Sequence, residues 1–329
     1  DAGPVPMRNT LIISPRSLIA FMSQKRSLLD RRILDKLQED IPFSERPWRK
    51  LAGDLHIDEL LLLKRIKLLK EKGIIRRIGA TFNPRKIGFS STLVALKVAA
   101  KNADKVATKL NSYPEITHNY KRNSEYNLWF TLVARNRKTI LSILHEIKKY
   151  RDVERILELP ATRIFKINVN FSRKRYMLSK LDRKIISLVS CDIPLVQKPF
   201  QELAHRLGIQ ERFLLSRLKF YRKNGLMRKF TATLNHRKIG YKYNAMAVWN
   251  IPVQSIEKAG TIMASFAEVS HCYQRRKKPD WNYNLYSMIH GTTKKDCLDV
   301  VRQISKKTAG SDYRVLFSSK EYKKTGVKY

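Results

Sequence analysis

The sequence is poor in acidic residues, in cysteine and in long apolar runs, and each shortage narrows the class of protein. Only 28 Asp and Glu stand against 67 Lys and Arg, a net charge of +39, which favours a polyanionic partner. Nucleic acid, an anionic membrane surface or a small polycarboxylate would each satisfy that charge. The three cysteines (Cys191, Cys272 and Cys297) form no CxxC pair, so we expect no disulfide framework, no cysteine zinc site and a cytoplasmic location. No apolar run approaches transmembrane length, and no membrane partner is expected.

The first 27 residues carry no pattern of a folded domain. The apolar stretch LIISPRSLIAFM is interrupted by Pro15 and Arg16, which spoils the core of a signal peptide. DAGPVP, ahead of Met7, is interpreted as a cloning scar. We therefore treat residues 1–27 as an extension outside the fold.

A long internal repeat organises the rest of the chain. The stretch LLDRRILDKLQEDIPFSERPWRKLA (28–52) returns as KLDRKIISLVSCDIPLVQKPFQELA (180–204), with an offset of 152 residues. The offset grows to 157 between YNLW (126–129) and YNLY (283–286). The second copy therefore carries an insertion, about RKKPDW, shortly before its YNLY run.

Both copies have the same predicted order of elements. Three helices, the last ending at Gly73 in copy one, precede a short β wing, the pattern of a winged helix-turn-helix. A strand, a helix, two strands, a helix and a final strand follow, the βαββαβ order of a ferredoxin-like unit. For copy one we predict helices at 28–40, 47–55, 59–72, 101–112 and 137–149, a wing at 74–83, and strands at 91–98, 115–122, 126–134 and 153–170.

The predicted fold class is α+β, with two tandem copies of a winged helix-turn-helix plus a ferredoxin-like βαββαβ domain. The two copies are expected to meet as an intramolecular pseudo-dimer, and a homodimer of that pseudo-dimeric chain is a further candidate assembly. The predicted boundaries are an extension at 1–27, winged helix-turn-helix domains at 28–88 and 180–240, ferredoxin-like domains at 89–171 and 241–329, and a linker at 172–179.

This domain order resembles the Lrp/AsnC family of transcriptional regulators, in which the third helix would enter the major groove of DNA. Here that helix starts with the leucine run from Leu60 to Leu63, and copy two has the apolar run from Phe213 to Leu215. Leucine offers no hydrogen bond to a base edge, and leaving it in water is unfavourable. We therefore expect both helix starts to be buried against something, and no specific DNA partner.

A short motif occurs in both copies: HNYKR at 118–122 and HCYQR at 271–275. On a strand, alternate residues share one face, so the histidine, tyrosine and arginine of each motif lie together. All three need hydrogen-bond partners when buried, which makes this a poor core face and a suitable wall for a polar cleft. Aromatic walls, arginine clamps and a titratable histidine would hold a flat anionic ligand. The alternative, in which these residues only pack or face solvent, is weakened by the repetition.

The combined motifs resemble a specific family, the siroheme decarboxylases. HNYKR…YNLWF and HCYQRRKKPDWNYNLY, with IPFSERPW, IIRRIGATFNPRKIGF and LPATRIFK, look like the two subunit types of that family fused over residues 28–325. The resemblance implies an Lrp/AsnC-like carboxy-lyase that removes two acetate carboxyls from siroheme without oxidation, giving 12,18-didecarboxysiroheme in heme biosynthesis. It also implies that siroheme is the partner, that no added cofactor is required, and that the iron belongs to the substrate.

Two other functions stay open at this point. One is an Lrp/AsnC-type DNA-binding transcriptional regulator that senses heme or another small ligand, and the other is a tetrapyrrole carrier without activity. The two copies also differ, because copy one has Leu159-Pro160-Ala161 where copy two has Leu316-Phe317-Ser318. The sequence does not assign catalysis to one of the two expected half-chain pockets.

Under this hypothesis the repeated histidines carry the chemistry. His118 and His271 are the candidates for acid/base work, because the pKa of histidine lies near neutral pH, or for ligating the siroheme iron. We expect cationic and aromatic side chains to bind the ring and its remaining carboxylates. The expected binding residues are Tyr120, Arg122, Tyr126, Trp129, Arg163, Tyr273, Arg275, Arg276, Tyr283 and Lys320.

Other tempting residues are given structural or surface roles. The unrepeated histidines are expected to be structural or exposed: His56, His145, His205, His236 and His290. The basic residues beside the predicted wings are expected to form a solvated face: Arg76, Arg77, Arg228 and Lys229.

Overall fold

The computed structural model describes residues 27–166, 176–240, 243–308 and 312–327. Residues 1–26 of the predicted extension, 167–170 of the predicted final strand and 172–175 of the predicted linker lie outside them. In the part of the chain that is described, no helix combines the length and the apolar character needed to span a bilayer.

The helices and strands are close to those predicted from the periodicity of apolar residues. In chain order they are α1 Leu28–Gln38, α2 Pro47–Leu55, α3 Glu59–Glu71, β1 Ile75–Phe82, β2 Ser90–Val98, α4 Ala103–Asn111, β3 Ile116–Arg122, β4 Leu128–Ala134, α5 Arg137–Lys148, β5 Val153–Leu159, β6 Ala161–Lys166, α6 Lys180–Ser190, α7 Pro199–Leu207, α8 Glu211–Lys223, β7 Met227–Leu234, β8 Tyr243–Trp249, α9 Ile256–Ser265, β9 Val269–Arg275, β10 Leu285–Gly291, α10 Lys294–Thr308 and β11 Tyr313–Lys324.

Local capping signals fix the ends of the third helix. Asp58 accepts hydrogen bonds from the backbone N–H groups of Leu60 and Leu61, which satisfies two donors that a helix start leaves unpaired. At the other end Gly73 takes a left-handed conformation with φ +64°, which a residue without Cβ adopts at no steric cost. The helix therefore begins and ends at positions that can be identified from the sequence.

The predicted β wings are not formed within each copy. Strand β1 of copy one pairs antiparallel with β7 of copy two, as in the pairs Gly79–Thr231 and Ala80–Phe230. One apolar core is shared by the helices of both helix-turn-helix units and this two-stranded ribbon. A single strand cannot satisfy its own backbone groups, and the symmetry-related strand of the other copy supplies the partner. The two helix-turn-helix units are thus joined across the pseudo-dimer.

The expectation that the third-helix starts are buried is wrong for their outermost residues. Leu60 and Leu61 are 62% and 40% exposed, and Phe213 is 43% exposed. In α3 the core takes only the stripe of Leu62, Ile66 and Leu69, whose spacing places them on one helical face. Leu60 and Leu61 therefore face outward, whereas Leu63 is partly buried against the core.

The ferredoxin-like units merge into one sheet. Its strand order is β5-β2-β4-β3-β11-β8-β10-β9-β6, and the two end strands β5 and β6 are consecutive in the chain, joined at Pro160. Because the first strand of the order continues at Pro160 directly into the last, the two edges of the sheet meet there, and we call this arrangement the closed sheet. Helices α4 and α5 cover the copy-one half from outside, and α9 and α10 cover the copy-two half.

The closure depends on an exchange of the final strands between copies. In copy one the final strand breaks at Pro160, and β6 pairs with β9 of copy two. In copy two the corresponding strand β11 is unbroken, and pairs first with β8 and then, from Ser318, with β3 of copy one. Proline has no N–H for a sheet ladder, so the break falls where β5 leaves its partner β2. Each copy thus completes the other's half of the sheet, which makes the intramolecular pseudo-dimer one structural unit.

The inside of the closed sheet is packed by aromatic residues from both copies. Trp281, from the insertion in copy two, is 3% exposed, and its ring lies 5.6 Å from Tyr126, 5.5 Å from Trp129 and 5.0 Å from Tyr283 between centroids. Its indole N–H donates to the Tyr286 hydroxyl at 2.8 Å. The insertion, which copy one lacks, therefore places one side chain among the YNL residues of both copies and breaks the pseudo-symmetry of the interior.

Candidate active site

A cavity of about 430 Å³ lies inside the closed sheet and is lined by both copies. Its size is within the usual range for a small-molecule site. The two repeated motifs lie on β3 and β9 and face this one space, so the structure brings together residues from positions about 150 apart. Two separate half-chain pockets were expected, and that expectation is wrong because the strand exchange merges them. The motif residues that line the cavity are His118, Tyr120, Arg122, His271, Tyr273 and Arg275.

Each cavity histidine is stacked on the tyrosine of its own motif. The ring centroids of His118 and Tyr120 are 6.4 Å apart with an interplanar angle of 29°, and those of His271 and Tyr273 are 6.0 Å apart at 18°. Period two along a strand places such residues side by side on one face. The rings of each row therefore form two roughly parallel aromatic surfaces beside a shared space.

Burial and positive neighbours keep both histidines neutral. Burial, followed by the nearby charges of Lys324 and the other histidine, lowers the pKa of His118 to about 4. Burial, followed by the charges of Arg228, Lys324 and Lys166, lowers the pKa of His271 to about 4. The His271 side chain is exposed at the cavity, while the protein atoms packed around it supply the burial that lowers its pKa. In the ligand-free protein at neutral pH, neither imidazole carries a charge.

The acid stability of the ligand-free protein should reflect these two histidines. A histidine with a pKa near 6.5 in the unfolded chain and about 4 in the folded one binds protons first in the unfolded state. The free energy of unfolding should therefore fall as the pH drops from about 6.5 through about 4. Urea unfolding at a series of pH values in that window measures the effect. A double variant His118→Gln and His271→Gln should lose less stability on acidification, and an unchanged pH dependence would contradict the assignment.

The two motif arginines are buried without a carboxylate partner. Arg122 and Arg275 are 5% and 8% exposed, and their only direct hydrogen bonds to protein run from Nη1 to the backbone carbonyls of Leu316 and Leu159 in the described residues. Both Nε atoms are buried without a partner. Burial is the main influence on each group, and it lowers the pKa of Arg122 to about 10 and also lowers that of Arg275. A buried guanidinium without a counter-ion is costly, and an anionic ligand in the cavity would remove that cost.

Three further cations line the cavity and were missed from the sequence. They are Arg85, Arg228 and Lys324; Arg85 donates from Nη2 to the Ala161 carbonyl at 2.6 Å. Arg228 lies on β7, so the ribbon of the helix-turn-helix units forms part of the cavity wall. The expectation that Arg228 belongs to a solvated basic face is therefore wrong, because the pairing of β7 with β1 sets its face towards the sheet. The sequence around these three residues is rich in Lys and Arg, which indicated a positive surface. Which of these cations face the cavity follows only from the pairing of the strands.

The other basic residues expected on that solvated face also have partners or are buried. Arg76 is paired with Glu321, with Nη2 2.8 Å from Oε1, and Arg77 donates to the carbonyls of Ala80 and Ser190. Burial lowers the pKa of Lys229. Arg76 and Arg77 therefore connect the ribbon to β11 and α6.

The predicted aromatic residues form two layers below the cavity. Trp129 lines it directly, together with Tyr286, which was not selected from the sequence although it ends the YNLY run. Tyr126 and Tyr283 are buried, at 1% and 7% exposure, and lie behind this wall against Trp281. Tyr126 and Tyr283 therefore pack behind the residues that line the cavity and do not line it themselves.

Three predicted cations lie away from the cavity. Arg163 is paired with Glu257 on the outside, and Lys320 is paired with Asp104 at 3.2 Å. The register of β6 against β9 shifts between Ala161 and Arg163, and that of β11 against β3 shifts between Ser318 and Lys320. Such an irregularity in the pairing re-aims the side chains that follow it. The third, Arg276, is exposed at the start of the insertion, after β9 has ended.

Among the described residues, no group of three or more His, Cys, Asp or Glu side chains is arranged to hold a metal ion. The cavity offers imidazole, phenol and guanidinium groups around a flat space. These groups suit a planar polyanion, because the cations can pair with carboxylates while the aromatic surfaces contact a ring.

Comparison with known proteins places the two halves in the same class. A family model described as an AsnC-like ligand binding domain matches residues 86–166 and 238–323. A second, described as a siroheme decarboxylase NirDL-like HTH domain, matches residues 30–76 and 182–228. The chain is therefore a duplicated protein of the AsnC-like class, with the helix-turn-helix and ligand-binding units in the predicted order.

Full-length relatives narrow this class. A siroheme decarboxylase from Hydrogenobacter thermophilus is 37% identical over 316 residues, covering 91% of this chain and 94% of the relative. A siroheme decarboxylase beta subunit from Methanosarcina barkeri is 47% identical over 151 residues, covering 46% of this chain and 99% of the subunit. The crystal structure of the siroheme decarboxylase NirDL superposes with a TM-score of 0.73 at 35% identity, covering 92% and 94% of the two chains. The same fold has been solved in co-complex with an iron-uroporphyrin III analogue. This chain belongs to the siroheme decarboxylase family.

Proposed function

We propose that this chain is a carboxy-lyase that removes the carboxyl groups of two acetate side chains of siroheme as CO₂, giving 12,18-didecarboxysiroheme for heme biosynthesis. The observation that carries the proposal is the cavity in which two rows of histidine, tyrosine and arginine meet, with both arginines buried and without a carboxylate partner in the described residues. Siroheme is flat and fringed with carboxylates, so it matches both the aromatic surfaces and the cations. Family membership supports the same substrate.

The positive cavity would serve binding and orientation. Arg122 and Arg275 would pair with carboxylates that stay on the ring, and Arg85, Arg228 and Lys324 would neutralise others. For Arg122 and Arg275, such a pairing would relieve the cost of a buried guanidinium that has no carboxylate partner in the described residues. The scissile acetate, by contrast, should be placed away from a strong cation pair, because such a pair would stabilise the carboxylate that has to be lost.

The chemistry requires one proton for each CO₂ released. The bond between the methylene carbon and the carboxyl carbon breaks, the electron pair stays on the methylene carbon and delocalises into the ring, and a new C–H bond forms. Charge and electrons balance without an oxidant, so we propose that no added cofactor is needed. His118 and His271 are the candidates for delivering the proton, since a histidine in reach of the reacting carbon is an effective acid. Iron ligation by one of them stays a prediction.

Two further expectations are kept as proposals. The unpaired cysteines Cys191, Cys272 and Cys297 agree with a reducing compartment, so we place the reaction in the cytoplasm. The exposed starts of the third helices present the apolar side chains of Leu60, Leu61 and Phe213, which offer no hydrogen bond to a base edge, so we propose no sequence-specific contact with DNA. A homodimer of the chain stays a prediction from the sequence.

Anaerobic incubation of the purified chain with siroheme tests the function. We expect mass spectrometry of the tetrapyrrole to show the loss of two CO₂ units. Tight binding without loss of mass would indicate a carrier and overturn the enzyme. DNA retention that depends on salt but not on sequence would reflect charge alone, whereas sequence-specific retention would favour a regulator.

A further inference from the structure

The two cavity histidines differ in what lies behind them. In copy two, Ser270 Oγ lies 2.8 Å from Nδ1 of His271 and 2.9 Å from Nε2 of His290. Ser270 and His271 are neighbours on β9, and His290 lies on the adjacent strand β10. Three side chains therefore form a continuous hydrogen-bonded line that ends at the cavity. Ser270 Oγ also lies 3.4 Å from the carbonyl of Met288, a longer and weaker contact.

Copy one has the first part of this line but not the second. Thr117 Oγ1 lies 2.9 Å from Nδ1 of His118, and its other hydrogen bond is to the carbonyl of Thr131 at 3.4 Å. Val133 occupies the position that His290 has in copy two. A carbonyl has no proton to pass on, so the hydrogen bonds behind His118 end there.

This difference matters because the cavity keeps His271 neutral. A neutral imidazole that gives up its only N–H becomes an unfavourable anion unless its second nitrogen gains a proton at the same time. A hydroxyl can do this, since it accepts a hydrogen bond with its oxygen while donating its own proton. Ser270 is placed for that role, with His290 on its far side.

We propose that His290 and Ser270 form a proton relay to His271, which makes copy two the proton-donating half of the site. The inference rests on the proposed decarboxylation. A proton passes from Nε2 of His290 to Ser270 Oγ, the Ser270 hydroxyl proton passes to Nδ1 of His271, and the proton on Nε2 of His271 passes to the methylene carbon that has lost CO₂. In the same step Nδ1 of His290 takes up a proton from solvent, so His290 does not become an anion. Each cycle consumes one proton and leaves all three side chains with their original charge.

The internal repeat could not identify His290 as a functional residue, because copy one has Val133 at the equivalent position. It lines the cavity with Ser270 and His271, and it is half-buried, so it has access both to the line of hydrogen bonds and to water. Ser270 and His290 act through His271 and are positioning residues for the reaction. The relay also predicts different roles for the two motif histidines, because His118 has no second imidazole behind its hydroxyl partner.

Kinetics of siroheme decarboxylation by three variants test the relay. In Ser270→Ala and in His290→Gln, which keeps an N–H but cannot pass a proton on, kcat should fall about tenfold to a hundredfold. The KM for siroheme should stay within about twofold of the parent value, since neither side chain is assigned to binding. Added imidazole should restore part of the kcat of His290→Ala. His205→Gln, a change on the exposed side of α7, is the matched control and should behave like the parent.

The outcomes separate the relay from the function it serves. A kcat within about twofold of the parent in both Ser270→Ala and His290→Gln would overturn the relay while the decarboxylase stands. A change confined to KM, without imidazole rescue, would show a structural role and also overturn it. A parent chain that binds siroheme but releases no CO₂ would overturn the proposed function, and the relay with it.

Discussion

His271→Ala is expected to lower the rate of CO₂ release from siroheme by about 10²- to 10⁴-fold, the range typical of a lost general acid. The imidazole lies on the cavity wall with the line of hydrogen bonds through Ser270 to His290 behind it. His118→Ala is also expected to lower turnover, because its imidazole borders the same cavity. Steady-state assays under anaerobic conditions, with the released CO₂ measured, check both values.

The control is a histidine outside the site. His205 is exposed on α7, and His205→Ala should retain the activity of the parent. Siroheme titration followed by absorbance shows whether each cavity variant still binds, which separates a lost proton donor from a lost site. Full activity of both His118→Ala and His271→Ala would remove the assignment of these histidines to the chemistry.

The elements of this fold could be predicted because their signals are local. The Asp58 cap, the Gly73 terminus and the apolar stripe of α3 all lie within a few residues of the structure they specify. The repeat added one long-range fact, that two similar units occur in one chain. From it the α+β class and the intramolecular pseudo-dimer followed, and both are confirmed by the structure and the comparisons.

The pairing between copies could not be read from local signals. The residues of β1 do not indicate that it pairs with β7. The residues after Pro160 likewise do not indicate that β6 pairs with β9 of the other copy. Arg163 and Lys320 were predicted to bind the ligand, but each follows a register shift and points outward. The alternation of side chains between the two faces of a strand is interrupted at such a shift, so it does not predict the face of the residues that follow. Residues common to both copies were recognised, whereas His290, which occurs in one copy only, was passed over.

Duplication within one chain explains how this cavity can be both symmetric and asymmetric. The strand exchange gives two equivalent rows of histidine, tyrosine and arginine around one space, which suits a ring with carboxylates on all sides. The insertion with Trp281 and the line through Ser270 to His290 then distinguish the two halves. Two chains of identical sequence have the same residues in both halves, whereas a fused pair can take its binding cations from both halves and assign proton transfer to one.

Arg122→Met and Arg275→Met are expected to change stability and binding in opposite directions. Each guanidinium is buried without a carboxylate among the described residues, so a methionine of similar length should raise the free energy of unfolding of the ligand-free chain by about 1–2 kcal/mol, after the loss of the hydrogen bond to Leu316 or Leu159. Siroheme affinity should fall by about 2–4 kcal/mol, because a carboxylate loses a buried charged partner. Urea unfolding measures the first effect, and titration of the ligand-free chain with siroheme measures the second.

Arg163→Met is the matched control for this pair of variants. Its guanidinium pairs with Glu257 on the outer surface, so the change should alter stability by no more than about 1 kcal/mol and leave siroheme binding unchanged. If Arg122→Met and Arg275→Met lower the free energy of unfolding while siroheme affinity stays unchanged, the two arginines stabilise the exchanged strands and do not bind the substrate. The free energy of unfolding and the siroheme affinity are expected to change in opposite directions because a site for a polyanion contains buried positive charges. These charges lower the stability of the ligand-free chain, and the bound ligand compensates them.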